Sequence, residues 1–188
     1  MKSVFLAASI LLCSTLSYAQ AGGGSANSYA SSPLTTIASL DIPRYMGTWY
    51  EIAKYPNWFQ KKCVAETKAE YRLQAAGSVQ VINRCRRENG AMDEAIGEAR
   101  QIGPSTSAKL KVRFAPAWLS LLPFVWGEYW VVDLDDSYQL VAVAEPKREY
   151  LWVLSRTPKV EPGVYEALLG RLKGQGFDLS RLELTKQY

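Results

Sequence analysis

The chain has 188 residues, and none of them is histidine. This absence excludes catalytic triads and dyads that need an imidazole base, and it excludes metal or haem sites held by histidine. The sequence also lacks a phosphate-binding glycine loop, because its one glycine run, at residues 22–24, follows no strand-like segment. We therefore expect neither a metal nor a cofactor.

A second absence is that of an apolar run long enough to span a bilayer as a helix. The N-terminus instead carries Lys2, a short apolar run over residues 4–12 and small residues that end at Ala19. This pattern predicts a secretory signal peptide over residues 1–19, with cleavage after Ala19. The protein is then expected to be exported, to the periplasm or the outer membrane, or otherwise secreted.

The form of export is left open by Cys13. The stretch Ile10 to Cys13 partly resembles a lipobox, whose cysteine becomes lipidated, but Leu12 stands where a small residue is usual. Residues 20–40 are rich in Gly, Ser and Ala and predict a flexible linker, either as a tether to a membrane anchor or as a free leader. Simple secretion and a lipid anchor at Cys13 are both compatible with this segment.

The rest of the chain, residues 41–188, has the size and composition of one globular domain. Over the full sequence 48% of residues are hydrophobic and 21% are charged, which is enough for a sizeable core. The net charge is +4, and the basic residues are spread along the chain instead of forming a tract. We therefore expect no nucleic-acid partner.

Alternating apolar and polar residues, separated by short turns, predict an all-β fold. The predicted strands cover residues 47–56, 64–74, 79–87, 94–102, 108–114, 128–135, 138–144 and 149–155, followed by a helix at 162–173 and a short strand at 181–186. Consecutive strands with hairpin-sized turns favour an eight-stranded antiparallel up-and-down barrel, with one C-terminal α-helix and a short final strand. Such an interior either packs solid or holds one small ligand.

Three motifs carry a family resemblance. Residues 47–50, GTWY, resemble the Gly-x-Trp signature of lipocalins, and the surrounding YMGTWYEIAKYPNWFQ is similar to bacterial outer membrane lipocalins of the Blc type and to apolipoprotein D. Residues 129–135 and 150–158 resemble the second and third lipocalin motifs, although Asp136 stands where many members have Tyr. The resemblance implies a calyx that is closed at one end and binds a hydrophobic molecule. It also implies a structural floor made by Gly47, Trp49 and Arg156.

Strand alternation then selects a candidate ligand-binding wall. If Trp49 points inward, Glu51 and Leu154 also point inward. Three aromatic residues, Tyr55, Trp58 and Phe59, follow the first strand at the open end of the barrel, where the loop over the mouth begins. The candidate ligand-binding residues are Ala53, Tyr55, Trp58, Phe59, Ala69, Tyr71, Val81, Asn83, Leu110, Val112, Phe114, Tyr129, Val131, Leu140, Ala142, Tyr150 and Trp152. The alanines among large rings favour a cavity over a solid core, and Tyr71, Asn83, Tyr129 and Tyr150 are candidates for hydrogen bonds to a head group.

The two cysteines outside the signal peptide, Cys63 and Cys85, predict a disulfide in an exported protein. Two buried free thiols are the alternative, and a zinc site would have a poor ligand set. If the hairpin turn centres on residues 76 and 77, the two cysteines are offset by several residues. The bridge therefore requires the chain before the second strand to curl back.

The connection at residues 115–127 is strongly apolar, where a polar loop is expected between strands. Its large side chains are Trp118, Leu119, Leu121, Leu122, Phe124 and Trp126. Three interpretations stay open for this loop, namely peripheral contact with a membrane, a dimer contact, or folding over the barrel. The protein is accordingly predicted to be a monomer or a homodimer.

The function predicted from these features is that of a carrier and not of an enzyme. The family resemblance implies that the barrel stores or transports fatty acids or lysophospholipids for maintenance of the cell envelope. A lipocalin-fold enzyme is the first alternative, and it would need a reactive thiol at Cys63 or Cys85. A binder of a pigment or of a small hydrophobic signal is the second alternative.

Overall fold

The computed structural model describes residues 32–75, 77–116, 119–120 and 122–188. The predicted signal peptide, Cys13 and the first part of the predicted linker lie outside these residues. Nine strands and two α-helices are found in the described part of the chain. They are α1 (Ile42–Tyr45), β1 (Gly47–Lys54), β2 (Ala65–Leu73), β3 (Val79–Arg86), β4 (Met92–Gln101), β5 (Lys109–Arg113), β6 (Gly127–Leu134), β7 (Leu140–Ala144), β8 (Leu151–Ser155), α2 (Pro162–Gly174) and β9 (Glu183–Leu184).

The strands close into a barrel. From β2 to β8 each strand pairs antiparallel with the next, β8 pairs with β1, and β1 pairs back with β2. The predicted eight-stranded up-and-down barrel, with a C-terminal helix and a short extra strand, is therefore confirmed. The differences lie at element ends: β1 stops at Lys54, and the final strand has only two residues.

Residues before the predicted domain boundary at residue 41 also contact the barrel. Leu34 and Leu40 are buried, and the amides of Ile37 and Leu40 donate to the carbonyls of Val131 and Thr106 at 3.0 and 2.8 Å. The described end of the predicted linker is thus packed on the barrel, because its two leucines find apolar partners there. The short helix α1 follows directly, with the Asp41 side chain accepting from the Arg44 amide at 3.2 Å.

The seam between β1 and β2 is completed by the C-terminal tail. The two strands pair only from Gly47 to Tyr50, and beyond that point β9 lies beside β1. The Glu66 amide donates to the Lys186 carbonyl at 2.7 Å. The Gln187 side-chain amide donates to a carbonyl on each strand, at 2.8 and 2.9 Å. The tail therefore satisfies backbone groups that the two diverging strands leave unpaired.

Bulges in two strands exchange the inner and outer faces of the barrel wall. The register shifts between Glu51 and Ala53 in β1, and between Val131 and Asp133 in β6. An extra residue in one strand reverses the alternation of the side chains beyond it. As a result, the side chains that follow each bulge lie on the face of the wall opposite to the one that regular alternation predicts.

The outward side chains are covered by α2. Leu168 and Leu172 of this helix are fully buried in an outer cluster with residues of β1, β6, β7 and β8. Arg171 fixes the helix laterally by donating to both carboxylate oxygens of Asp133, at 2.7 and 2.9 Å. A separate inner cluster, which includes Trp49, Val131, Val141 and Val143, fills the closed end of the barrel.

The closed end is sealed by Arg156. Its guanidinium lies 3.9 Å from the centre of the Trp49 ring, and it donates to the carbonyls of Arg44, Thr48 and Tyr138 at 2.8, 3.1 and 3.2 Å. Gly47 has a φ of +96°, and a Cβ there would lie 3.2 Å from a guanidinium nitrogen. Glycine is therefore required at this position by both the backbone and the close approach.

We expect Arg156→Met to lower the free energy of unfolding by about 3 kcal/mol, because it removes three hydrogen bonds from a charged donor and a cation–π contact. Urea unfolding followed by tryptophan fluorescence measures this change. Arg72→Met, at an exposed position on β2 with a surface ion pair, is the control and should cost less than about 1 kcal/mol. Equal stability of Arg156→Met and the unmodified protein would contradict this role of Arg156.

Candidate functional site

The barrel encloses a cavity of about 750 Å³, which lies within the range of small-molecule binding sites. Its wall is mainly apolar and aromatic. Of the residues proposed from the sequence, the structure places these in the wall: Trp58, Phe59, Ala69, Tyr71, Val81, Asn83, Leu110, Val112, Phe114, Tyr129, Tyr150 and Trp152. The barrel is therefore hollow, and a solid core is excluded.

Four of the proposed residues are on the opposite face of the wall, so their placement inside was wrong. Ala53, Tyr55, Leu140 and Ala142 belong to the outer cluster against α2. The bulge after Glu51 turns Ala53 and Tyr55 outward, and Ala142 pairs with Val153, which faces the same way. The bulge in β1 was not foreseen and inverts the predicted faces of Ala53 and Tyr55. In β7 the alternation is regular, but every residue of this strand is buried, so its sequence does not indicate which face points inward.

Tyr55, one of these four residues, and Val131, the last of the proposed set, need further comment. Tyr55 is fixed under the end of α2, where its hydroxyl donates to the Asp178 carbonyl at 2.8 Å and Arg181 lies 4.3 Å from its ring centre. Burial raises the pKa of Tyr55. Val131 points inward but is packed in the inner cluster and is not part of the cavity wall.

The mouth of the cavity carries an aromatic cluster. A short 3-10 turn, Trp58–Gln60, follows β1, and its Trp58 side chain is 72% exposed. The Phe59 ring lies 5.7 Å from Tyr150 and 6.2 Å from Trp152, centroid to centroid. These rings form the rim on the side of β8, so the turn is placed where it borders the entrance.

This rim is anchored by a buried polar network around Glu51. The Glu51 carboxylate is 2% exposed and accepts from Gln60 at 2.8 Å and from Thr185 at 2.6 Å, with the Lys54 ammonium at 3.7 Å. The side-chain amide oxygen of Gln60, Oε1, in turn accepts from the Trp152 indole at 3.0 Å. A buried carboxylate is tolerated only with such partners, and here they tie the 3-10 turn to the wall.

A disulfide joins this segment to β3. Cys63 and Cys85 are bonded, with their Cα atoms 5.5 Å apart, and both line the cavity. The predicted bridge is confirmed. The β2–β3 register shifts by one residue between Ala65 and Lys68, where Glu66 has a positive φ of 51°. This shift removes only part of the offset, so the chain before β2 bends back to bring Cys63 to Cys85, as expected.

Three phenols meet at the deep end of the cavity. The Tyr129 hydroxyl lies 2.7 Å from that of Tyr45 and 3.0 Å from that of Tyr71. Burial raises the pKa of Tyr71 to about 12 and raises the pKa values of Tyr45 and Tyr129 well above their usual range. All three therefore remain protonated at neutral pH and can act as hydrogen-bond donors.

Tyr45 was missed by sequence reasoning because it precedes the first strand. Its signal is the start of α1, where Asp41-Ile42-Pro43 has the pattern of a capped helix. Several wall residues on predicted strands were also missed. Val79, Ala99 and Val143 line the cavity, and alternation from the neighbouring Val81 would have found Val79.

The apolar loop between β5 and β6 is described only in part, because residues 117, 118 and 121 lie outside the described residues. Its Phe124 side chain is 80% exposed. Trp126 is held in place, since its indole donates to the Ser120 carbonyl at 2.8 Å and the Arg100 and Arg113 guanidinium groups lie 5.2 and 5.1 Å from its ring. The loop thus has a fixed base and an exposed apolar tip.

The described residues contain no group of three or more His, Cys, Asp or Glu side chains placed to hold a metal ion. They also contain no helix that is both long and apolar enough to cross a membrane.

Comparison with known families identifies the barrel. The family model described as a lipocalin-like domain matches residues 40–187. The chain belongs to the lipocalin family. This membership and the relatives described next indicate that this lipocalin binds or transports a small hydrophobic molecule.

Curated relatives span most of this lipocalin. It is 40% identical to temperature-induced lipocalin-1 of Arabidopsis thaliana over 82% of this chain and 83% of the relative. It is 37% identical to the outer membrane lipoprotein Blc of Vibrio cholerae, over 80% and 85% of the two chains. With mouse apolipoprotein D it shares 32% identity, over 79% and 78%.

A similar fold is found among solved structures at lower sequence identity. The cockroach allergen Per a 4 superposes with a TM-score of 0.64 at 19% identity, over 84% of this chain and 96% of that one. This likeness supports the barrel architecture of the lipocalin and carries no information on its ligand.

We expect the double variant Cys63→Ser, Cys85→Ser to lose about 3 kcal/mol of unfolding free energy, because the bridge closes a loop with a sequence separation of 22 residues. Urea unfolding with and without dithiothreitol measures this effect. The unmodified protein should lose the same amount in reductant, whereas the double variant should not respond to it. An unmodified protein whose unfolding is insensitive to reductant would contradict the stabilising role of the bridge.

Proposed function

We propose that this lipocalin is a carrier that stores or transports a fatty acid or a lysophospholipid in its barrel. The observation that carries the proposal is the cavity of about 750 Å³ with a wall of aliphatic and aromatic side chains. A dry apolar cavity favours an alkyl chain, because each buried methylene contributes about 0.8 kcal/mol. About twelve methylenes then give roughly 10 kcal/mol, which offsets several kcal/mol of association cost.

The mouth supports an amphiphilic ligand over a purely apolar one. The rim combines the rings of Trp58, Phe59 and Tyr150 with charged side chains such as Lys62 and Lys147. An alkyl chain therefore has apolar surface along its whole path, and a head group too large to enter the barrel has water and charge at the entrance. No chemical step is needed for loading or release, and the two thiols that an enzyme of this fold would use are joined in the disulfide.

We propose further that the protein is exported and acts in maintenance of the cell envelope. The names of the bacterial relatives, outer membrane lipoproteins, support a place in the periplasm or at the outer membrane. A lipid anchor would follow only if Cys13 is processed as a lipobox cysteine. The exposed side chains of Phe124, in the loop between β5 and β6, and of Trp58, in the cavity wall, support transient contact of the protein with a membrane surface during lipid exchange.

We expect one molecule of a fluorescent fatty acid, cis-parinaric acid, to bind per barrel with micromolar or better affinity. Ala99→Trp should weaken binding at least tenfold, because Ala99 lies in the cavity wall and the indole would fill the space. Ile96→Trp is the matched control, since it lies on the same strand with its side chain exposed on the other face, and it should bind as the unmodified protein does. Fluorescence titration measures both.

Native mass spectrometry of the protein purified from its own envelope provides the test of cargo and anchor together. A bound lipid mass would identify the ligand, and an added mass on a chain that begins at Cys13 would establish the anchor. A barrel that came out empty and excluded both fluorescent fatty acids and lysophospholipids would contradict the carrier function.

A further inference from the structure

The phenol cluster of Tyr45, Tyr71 and Tyr129 is the main polar feature of the deep end of the cavity. Tyr71 pairs with Gly47 at the start of β1, and Tyr45 lies 5.0 Å from Trp49, ring to ring. The cluster therefore lies next to the sealed floor, at the end opposite the aromatic mouth. All three side chains line the cavity.

The hydrogen bonds within the phenol cluster leave one hydroxyl hydrogen without an acceptor. Three hydroxyl groups carry three hydrogens, and only two oxygen–oxygen contacts join them, both at Tyr129. Among the described residues, no other protein group bonds to these three hydroxyls. Whichever way the hydrogens point, one O–H is left to face the cavity. A buried donor of this kind is costly unless a ligand atom accepts from it.

The charge next to the cluster is also unbalanced. Arg156 sits on the outer side of the Trp49 ring, and its hydrogen bonds go to three backbone carbonyls. Within the described part of the chain, no carboxylate forms an ion pair with it. The floor of the cavity therefore carries a positive potential that favours an anion over a neutral oxygen.

We propose that the phenol cluster is the binding site for the carboxylate of a fatty acid, which enters the barrel head first and leaves its alkyl tail toward the mouth. This inference rests on the proposed carrier function and specifies its ligand. The carboxylate accepts the free O–H, and rotation of the hydroxyls can supply a second donor. Charge-assisted hydrogen bonds of this type are shorter and stronger than neutral ones.

The same geometry discriminates between the two candidate lipids. A carboxylate is small and needs only donors and positive charge, and both are present at the floor. The head group of lysophosphatidylcholine is much larger than a carboxylate, and its quaternary ammonium would be repelled by the Arg156 guanidinium. A lysophospholipid is therefore expected to bind with its head group at the mouth, out of contact with the cluster.

The test compares palmitate with palmitoyl lysophosphatidylcholine, two ligands with the same chain. Tyr129→Phe should weaken palmitate about tenfold, because it removes a hydrogen bond to a charged group, and should change the affinity for the lysophospholipid less than twofold. Tyr71→Phe should act in the same direction. Tyr50→Phe is the control, because Tyr50 lies on β1 outside the cavity wall, and it should change neither affinity.

A second measurement reports the orientation directly. Palmitate labelled with ¹³C at the carboxyl carbon is bound to the unmodified protein, and soluble Mn²⁺ is added. The carboxyl signal should stay sharp, whereas a label on the terminal methyl should broaden. A broadened carboxyl signal with a protected methyl would overturn the proposal, and so would an equal loss of affinity for both ligands in Tyr129→Phe. Binding of neither ligand to the unmodified protein would contradict the carrier function itself.

Discussion

One guanidinium group holds the closed end of the barrel together. Arg156 lies on the Trp49 ring and donates to carbonyls from α1, from β1 and from the turn between β6 and β7, three segments distant in sequence. A planar group with several donors can satisfy all three at once, which a lysine cannot do. The inward direction of Trp49 then sets which face of β1 lines the barrel. The same contacts position α1, so that the Tyr45 side chain reaches the cavity from outside the sheet.

The interior is hollow because the barrel wall divides its apolar side chains between an inner cluster and an outer cluster. The bulge in β1 sends Ala53 outward to α2, and the bulge in β6 turns Asp133 outward to Arg171 of the same helix. Had the strands continued without a bulge, both side chains would have pointed into the barrel. A void in a protein interior forfeits dispersion contacts, so the fold tolerates it only because the outer cluster supplies a second core. A ligand of matching shape restores the missing contacts.

The order of strands was predictable, because most strands keep an alternation of period two and the turns are short. The disulfide was predictable from the expectation of export, although the register shift near Glu66 is marked by no local pattern. The face of Ala53 was not predictable, since a bulge is defined by the partner strand and not by the residues that carry it. The face of Ala142 was not predictable because β7 is buried on both faces. The position of Tyr45 in the cavity wall was not predicted for another reason, because its helix has only four residues.

The tail that closes the seam between β1 and β2 has a consequence for the order of folding. Backbone groups near Glu51 and Thr67 are satisfied by Gln187, and the amide of Glu66 by Lys186. These partners are translated after every strand of the barrel, so the emerging chain cannot complete its wall until synthesis has passed them. A nascent chain in this state retains an open slot along one side. Closure of the barrel wall therefore waits for the C-terminal tail, whatever the order in which the other strands pair.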